Sequence, residues 1–408
     1  MKTFVSIPEA LNEIRKGKLL IVVDSSDREN EGDLYIPTDL LTPKHMTAMI
    51  RHGGGLICTA ITKEQAWRLS LPLMVPAHEN REKTHVNFTV SLSAKKGVTT
   101  GVSAFDRAKT AKTMANPKST GKNLARPGHM FGLVAEPGGV LKRDGHTEAA
   151  VDLARLAGLT PAGVLCEVVG KNGRMATQAE LIALSNKLSV KMVHIRDIKR
   201  HLLKHPLPAF PEPPCVTRMA ESKLRTAYGV FTIAIYEAFA DRREHAALFF
   251  GNLKKSPLVR LHSRCVTGDV FSSLQCDCGG QLAESMRLLQ KDKGGVLLYL
   301  DQEGRGIGLA NKIKAYALQE KGYDTVEANH ALGLPSDARN YKVAADILKD
   351  LGVTSVRLLT NNPEKKKQLM RHGITVAARV PLERIPNHIN RKYLKTKKKK
   401  MGHHLRKV

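Results

Sequence analysis

The sequence predicts an α/β (α+β) protein of two tandem mixed α/β domains, and three observations carry that expectation. The chain has 408 residues, about twice what one hydrophobic core organises. Short apolar runs such as Leu19–Val23, Gly163–Val169 and Gly294–Leu300 alternate with segments of helical period, the pattern of strands interleaved with helices. Pro206, Pro208, Pro211, Pro213 and Pro214 fall within nine residues, which marks a linker or an extended crossing. The predicted division is a domain over 1–205, a proline-rich linker over 206–222, a second domain over 223–390 and a basic tail over 391–408.

Residues 4–16 read as a helix, with Ser6 as a possible N-cap and Pro8 in the first turn. Leu19–Val23 is a compact apolar run, hence a buried strand, and it delivers the loop Asp24–Asp33 (DSSDRENEGD). Five acids in ten residues at a strand end suit a cation or a polar substrate, and Arg28 adds a phosphate-binding group. The bland alternative is a solvated acidic loop. Arg51–Thr59 is a glycine turn into a strand, and Thr99–Thr113 is polar and basic enough to suit a phosphate. His129 and His146 each follow a glycine, which predicts that both lie on turns and are open to ligand or acid–base roles. A helix over Glu148–Ala157 and a strand over Gly163–Val169 follow. Glu167, inside that apolar strand, needs a partner or a function.

Beyond the prolines, strands over Tyr228–Tyr236, His245–Phe250 and Leu258–Leu261 lead into His262–Gln281 (HSRCVTGDVFSSLQCDCGGQ). This stretch holds Cys265, Cys276 and Cys278, three of the six cysteines. Thiolates spaced this closely can turn toward one point, and zinc is the usual occupant. Three protein ligands leave a position for water, as in a catalytic site; a fourth, from His262 or elsewhere, would close the site. Asp301–Gly308 is a glycine-rich loop between a strand and a helix, where backbone N–H groups bind phosphate, and it contains Arg305. Asp337 and Arg339 follow a Pro335 turn, and the strand Ser355–Leu359 ends in the polar run Thr360–Lys365.

Hydrophobic residues make up 42% of the chain, which fits a globular protein. No apolar run approaches the roughly 18 residues that span a membrane. The N-terminal apolar stretch runs straight into Asp24 and Asp27, unlike a signal peptide. Six cysteines without an export signal imply a reducing compartment, so a cytoplasmic protein is expected. The formal charge of +27 invites a nucleic-acid partner, but nine Lys or Arg and no acid lie between Arg391 and Val408, and aromatics are only 5% of the chain. Small polyanionic substrates would reward the same field.

Read in order, the segments DRENEGD, RPGH, GHTEA, the spaced cysteines, QEGRGIG, DARNY and TNNPEK resemble the bifunctional riboflavin-biosynthesis proteins. That family joins 3,4-dihydroxy-2-butanone 4-phosphate synthase to GTP cyclohydrolase II. The resemblance covers about residues 5–200 and 223–400 and implies the fold of each enzyme in turn. For the first half it implies conversion of ribulose 5-phosphate into the four-carbon phosphate with loss of formate. Glu29 and His146 match magnesium or manganese ligands. Arg28, Glu29, Asp33, Arg143, Asp144, Gly145, His146, Thr147 and Glu167 match substrate-binding positions, and His129 with Glu167 the catalytic pair. Glu31 is a further carboxylate of the same loop, and Ser25 and Ser26 stand where the family usually has acids.

For the second half the resemblance implies opening of the GTP imidazole ring with release of formate and pyrophosphate. Cys265, Cys276 and Cys278 would hold zinc, Asp337 matches a proton acceptor, and Arg339 a proposed nucleophile toward the α-phosphorus. An arginine stays protonated at ordinary pH, so stabilising phosphoryl charge is its physically easier role. GTP contacts map to Arg260, Leu261, His262, Ser263, Arg264, Gln281, Glu303, Gly304, Arg305, Thr325, Thr360 and Lys365, and Tyr316 matches an active-site tyrosine. Arg264 stands where the family has Glu, and Gln275 and Asp301 where it has arginines. A homodimer is expected by analogy. Two competing readings are a chain whose second half is only a zinc-binding scaffold, and a basic zinc protein that binds RNA through its tail.

Overall fold

The computed structural model describes residues 3–75, 79–208, 210 and 212–408, and the chain divides into two compact units, Met1–Pro213 and Pro214–Val408. The first contains helices α1 (Ile7–Arg15), α2 (Pro43–His52), α3 (Lys63–Arg68), α4 (Ala104–Ala115), α5 (His146–Leu156), α6 (Gln178–Leu188) and α7 (Ile195–Lys204). Its strands are β1 (Leu20–Val23), β2 (Gly32–Pro37), β3 (Cys58–Ile61), β4 (Leu92–Ala94), β5 (Leu124–Val134), β6 (Gly163–Glu167) and β7 (Lys191–His194).

These strands form one mixed sheet in the order β4-β5-β3-β6-β2-β1-β7. Alternate residues of β1 point to opposite faces. Leu20 and Val22 join the core built with α1, α5 and α7, while Ile21 and Val23 join the one built with α2, α4 and α6. The unit is thus a three-layer α/β/α structure, and burial on both faces is why Leu19–Val23 reads as an unbroken apolar run. Antiparallel pairing of β2 with β6 sets Asp33 directly opposite Glu167.

The first helix begins at Ile7 rather than residue 4, because Phe4 bridges to Met192 beside β7. Ser6 caps it, its N–H donating to Glu9 Oε2 at 2.9 Å. Neither histidine lies on a turn. His129 is inside β5, and His146 is the first residue of α5. Their glycines serve close approach instead. A Cβ on Gly128 would fall 2.0 Å from the Leu92 backbone, and one on Gly145 would fall 2.4 Å from the Arg143 guanidinium.

The second unit contains β8 (Val216–Thr226), β9 (Gly229–Ala238), β10 (Glu244–Gly251), β11 (Leu258–Ser263), β12 (Gly294–Leu300), β13 (Ser355–Leu359) and β14 (Thr375–Val380). Its helices are α8 (Val266–Asp269), α9 (Cys278–Lys291), α10 (Leu309–Glu320), α11 (Thr325–Ala331), α12 (Lys342–Asp350), α13 (Pro363–Arg371) and α14 (Arg391–Met401). The sheet order is β14-β13-β11-β12-β10-β9-β8. One face packs on α12 and α13 and the other on α9.

Two boundaries differ from the sequence expectation. Strand β8 occupies part of the expected linker; ten of its eleven residues escape burial, so it carries no apolar alternation to betray it. The expected tail folds as α14, with Leu394 and Leu405 buried. Among the described residues no helix is long and apolar enough to cross a membrane.

Candidate active sites

In the first unit the loop between β1 and β2 is organised by buried Asp24. Its carboxylate accepts from the N–H groups of Glu29 (3.1 Å) and Glu31 (2.8 Å) and from Arg28 Nη1 (2.9 Å). The loop thereby presents Glu29 to His146, with Oε2 and Nδ1 3.8 Å apart. Asp24, Glu29 and His146 offer ligand atoms within 4.8 Å of one another. His146 Nε2 lies 3.2 Å from the Val22 carbonyl and 3.8 Å from Asp33 Oδ1. A proton on Nε2 would be held by that carbonyl, leaving the Nδ1 lone pair toward Glu29.

Burial dominates the electrostatics here. It raises Asp33 to about 7, with Glu167, Glu31 and Glu29 adding repulsion, and it raises Glu167 and Glu31 as well. Burial works against charge on His146, but Asp33 and Glu29 hold it up at about 9. The His146 ring 3.8 Å away, together with the Arg28 guanidinium, holds Glu29 down at about 2. Asp33 Oδ1 and Glu167 Oε2 are buried without a hydrogen-bond partner, which is costly unless a ligand meets them. The glycine turn after α2 permits this crowding: a Cβ on Gly55 would fall 2.5 Å from Glu167 Oε2.

The remaining residues expected in this unit divide. Gly145 is the N-cap of α5, and His146 and Thr147 are buried in its first turn, a helix N-terminus suited to a phosphate. Arg143 is a pillar, bonding Glu148 at 2.6 Å and the Thr84 carbonyl at 3.0 Å. Asp144 is tied to Lys199 of α7 at 2.8 Å. Arg28 pairs with Asp24 and Glu29. His129 stands apart, exposed on β5 with its N–H donating to Ser93 Oγ.

In the second unit Cys265, Cys276 and Cys278 converge, with 3.7 Å between the Cys265 and Cys276 sulfurs. Glycines allow it. A Cβ on Gly268 would lie 2.7 Å from Cys276 Sγ, and one on Gly279 would lie 2.1 Å from the Gly268 carbonyl oxygen. His262 is not a fourth ligand. Its Nε2 is 3.0 Å from Asp269 Oδ2, its ring stacks on Tyr299, and among the described residues only the three cysteines form the cluster. Asp269 also accepts from Cys265 N–H and the Tyr299 hydroxyl, so it sets the loop that carries the first thiol.

Lys312 of α10 contacts Cys265 Sγ (3.1 Å), Thr267 Oγ1 (2.9 Å) and Glu303 Oε1 (2.8 Å). The neighbouring thiols, helped by this ammonium, hold Cys265 well below the ordinary thiol range. Sequence reading misses Lys312, and it takes Asp269 only as one of the polar groups interleaved with the thiols. Spacing could have found Lys312, which lies four residues before Tyr316 on the same helix.

The thiols open on a cavity of about 340 Å³, within the range of small-molecule sites. Arg260, His262, Ser263, Arg264, Gln281, Gly304, Arg305, Tyr316, Thr325, Arg339, Thr360 and Lys365 all line it. Leu261 does not; it is a core residue whose carbonyl accepts from Lys365 Nζ at 2.7 Å. Glu303 lines the cavity, yet both its oxygens are engaged, by Val266 N–H and by Lys312. Asp337 is chelated by Arg339, Nε to Oδ1 at 2.9 Å. Burial opposes charge on Asp337, but the guanidinium keeps it below the usual carboxylate range. Arg339 itself is held above its ordinary value despite burial.

Two comparisons decide the kinship. A family profile for 3,4-dihydroxy-2-butanone 4-phosphate synthase matches residues 8–201, and one for GTP cyclohydrolase II matches residues 217–381. The riboflavin biosynthesis protein RibBA of Chlorobium phaeovibrioides is 47% identical over 405 residues, covering 98% of this chain and 97% of that protein. The chain belongs to the bifunctional riboflavin-biosynthesis family. The bifunctional riboflavin biosynthesis protein RIBA 1, chloroplastic, of Arabidopsis thaliana is also 47% identical, over 98% of this chain and 73% of that protein. Among solved structures, the two-domain synthase RibBX of A. baumannii is 31% identical, covers 87% of this chain and 94% of that one, and gives a TM-score of 0.47. A synthase in complex with two magnesium ions is 38% identical over 49% of this chain and 98% of that one, with a TM-score of 0.47.

The first unit is therefore the synthase unit and the second the cyclohydrolase unit. Two departures in the cyclohydrolase unit are explained together: Arg264 Nη1 bonds Asp301 Oδ1 at 3.0 Å. The two unexpected charges thus neutralise one another in a single ion pair. Gln275 lines the cavity mouth, and nothing in the structure explains its replacement of an arginine.

Proposed function

We propose that the chain catalyses both reactions of its family: ribulose 5-phosphate to 3,4-dihydroxy-2-butanone 4-phosphate and formate in the synthase unit, and GTP with water to 2,5-diamino-6-ribosylamino-4(3H)-pyrimidinone 5′-phosphate, formate and pyrophosphate in the cyclohydrolase unit. The observation that carries this reading is that each unit gathers its own metal-type donor set beside unsatisfied buried polar groups or a walled cavity.

In the synthase unit Glu29 and His146 would hold Mg²⁺ or Mn²⁺, since carboxylate with one imidazole is a hard donor set. Such an ion supplies charge to stabilise an enediolate. Asp33 and Glu167 have free oxygens and raised proton affinity, suited to taking and returning the proton on the carbon beside the ketone. The α5 N-terminus with Gly145 and Thr147 receives the phosphate. His129, exposed on β5, is the second catalytic group of this reading.

In the cyclohydrolase unit the three thiolates would hold zinc, which lowers the pKa of a bound water for attack on the ring carbon between N7 and N9. Asp337, kept ionised by Arg339, accepts a proton from the attacking water. Arg339, kept cationic, stabilises phosphoryl charge rather than acting as a nucleophile. The buried cations Arg260 and Lys365 face the nucleotide. A homodimer fits the exposed Phe105 (72%) and Phe271 (73%), and a cytoplasmic location fits six unpaired cysteines.

The test is formate release from each substrate separately, with Mg²⁺ for the first and zinc for the second. Wild type should release it from both, and Glu29→Gln should lose only the ribulose 5-phosphate reaction, by about a hundredfold or more. No formate from either substrate would defeat the proposal.

A further inference from the structure

The residues after the cyclohydrolase match (217–381) do not hang free. Leu394 and Leu405 are buried. Lys400 of α14 bonds Glu327 at 2.9 Å and pairs with Asp324, both at the start of α11. His404 N–H donates to the Asn361 carbonyl at 2.9 Å, and Glu383 accepts from the N–H groups of Arg406 and Lys407. These contacts strap the segment across the cavity.

The strap carries charge inward. Lys397 Nζ lies 3.3 Å from Asp277 Oδ1, between two zinc-type cysteines in sequence, and 4.2 Å from the Tyr393 ring centroid. Its side chain is only 13% exposed, although it belongs to a helix whose Lys395, Lys398 and Lys399 face solvent. Arg260, Arg339 and Lys365 meet it on the same cavity, and burial together with Arg260, Arg339 and Lys397 pushes the Lys365 ammonium well below its ordinary value. Two buried cations, Arg260 and Lys365, and two half-buried ones, Arg339 and Lys397, stand together with only two carboxylates paired to them, Asp337 to Arg339 and Asp277 to Lys397. Such crowding is unfavourable by itself and is relieved by a ligand bearing several negative charges.

We infer that the C-terminal strap is a working wall of the nucleotide site, and that Lys397 is a specificity-determining contact for the polyphosphate of the substrate. The inference rests on the proposed GTP reaction for the name of the substrate, but its physical content is recognition of a short polyphosphate. In the ligand-bound site Lys397 exchanges Asp277 for a phosphate oxygen, and Tyr393 closes over it.

The test uses the full chain with zinc. Binding of inorganic tripolyphosphate is measured by calorimetry and GTP turnover by formate release, for wild type, Lys397→Ala, Lys397→Arg and the solvent-facing control Lys399→Ala. Loss of one charge-assisted contact should weaken tripolyphosphate binding and raise the KM for GTP about ten- to a hundredfold in Lys397→Ala. GMP binding should change much less, Lys397→Arg should recover most of the loss, and Lys399→Ala should match wild type. Zinc content and melting temperature check that the variants fold. Should Lys397→Ala fail that check, Lys397→Arg and Lys397→Gln give the same comparison, arginine retaining and glutamine losing the preference for tripolyphosphate over GMP. Equal tripolyphosphate affinity in folded wild type and the uncharged variant overturns the inference even if GTP is turned over. Tripolyphosphate binding that depends on Lys397 in a protein inert toward GTP sustains the inference and defeats the GTP reading instead.

Discussion

Arg264 shows how a single residue can mislead when read alone. Beside a zinc-type cysteine it is a charge reversal against the family pattern, and so is Asp301; in space they form one ion pair. The sequence contains both residues but not the 3.0 Å between them, because 37 positions separate them along the chain. Arg264→Glu would set two acids together at the mouth of a site that receives a polyanion. Exposed pairs are worth about 0.2–1 kcal/mol, so the KM for GTP should rise about two- to fivefold. Arg264→Glu with Asp301→Arg should restore it, and a double variant no better than the single would show that the pair is incidental. His262 and Glu303 teach the converse. Both line the cavity as expected, yet Asp269 already holds Nε2 of His262 and Lys312 holds Oε1 of Glu303, and such partners cannot be read from a motif.

Among the elements, the short helix α8 and the start of α9 form one glycine-mediated joint. Gly268 lies against Cys276 and Gly279 against the Gly268 carbonyl, so the approach of backbones brings the thiols together. Gly268→Ala should displace Cys276, lower zinc per chain measured by elemental analysis, and cost about 1–3 kcal/mol of stability. The strap offers a second element-scale prediction. Burial, with Lys397 and other cations nearby, lowers His403 to about 3. A histidine at its ordinary 6.5 in the released strap binds a proton that the docked strap refuses. Docking is therefore strongest above about pH 6.5 and is lost progressively as pH falls toward 3. Limited proteolysis after α14 should accelerate across that window in wild type and much less in His403→Gln. This element was illegible beforehand because Arg391–Val408 has few apolar residues; two buried leucines and a set of ion pairs hold it. Strand β8 was missed for a related reason, since periodicity is visible only where one face is buried. The apolar runs Leu19–Val23, Gly163–Val169 and Gly294–Leu300, by contrast, match β1, β6 and β12 to within two residues, while β2, equally buried, escapes notice because it follows the acidic loop directly.

For the whole molecule, two units with separate cores imply two separable activities. A zinc chelator should abolish formate release from GTP while leaving release from ribulose 5-phosphate, with excess Mg²⁺, within about twofold. Parallel loss of both would contradict the division of metals between the units. The fold class, the family and most site-bearing stretches could be read from the sequence, because chemistry there is concentrated in short runs at strand ends. The pairing of distant residues could not.

The opposition of Asp33 and Glu167 across β2 and β6 has one more consequence. Sheet alternation makes alignment between these strands a two-valued code: one alignment aims both acids at the same face, and a slip by one residue would present Cys166 in place of Glu167. A single-residue deletion in β6 ahead of Glu167 would thus carry the acid to the opposite face, set Val168 across from Asp33, and swap apolar neighbours between the two buried cores in the same stroke. Chemistry and folding share one frame here, so a chain that loses the carboxylate geometry by misalignment also loses its core, and quality control can recognise the error without testing the reaction.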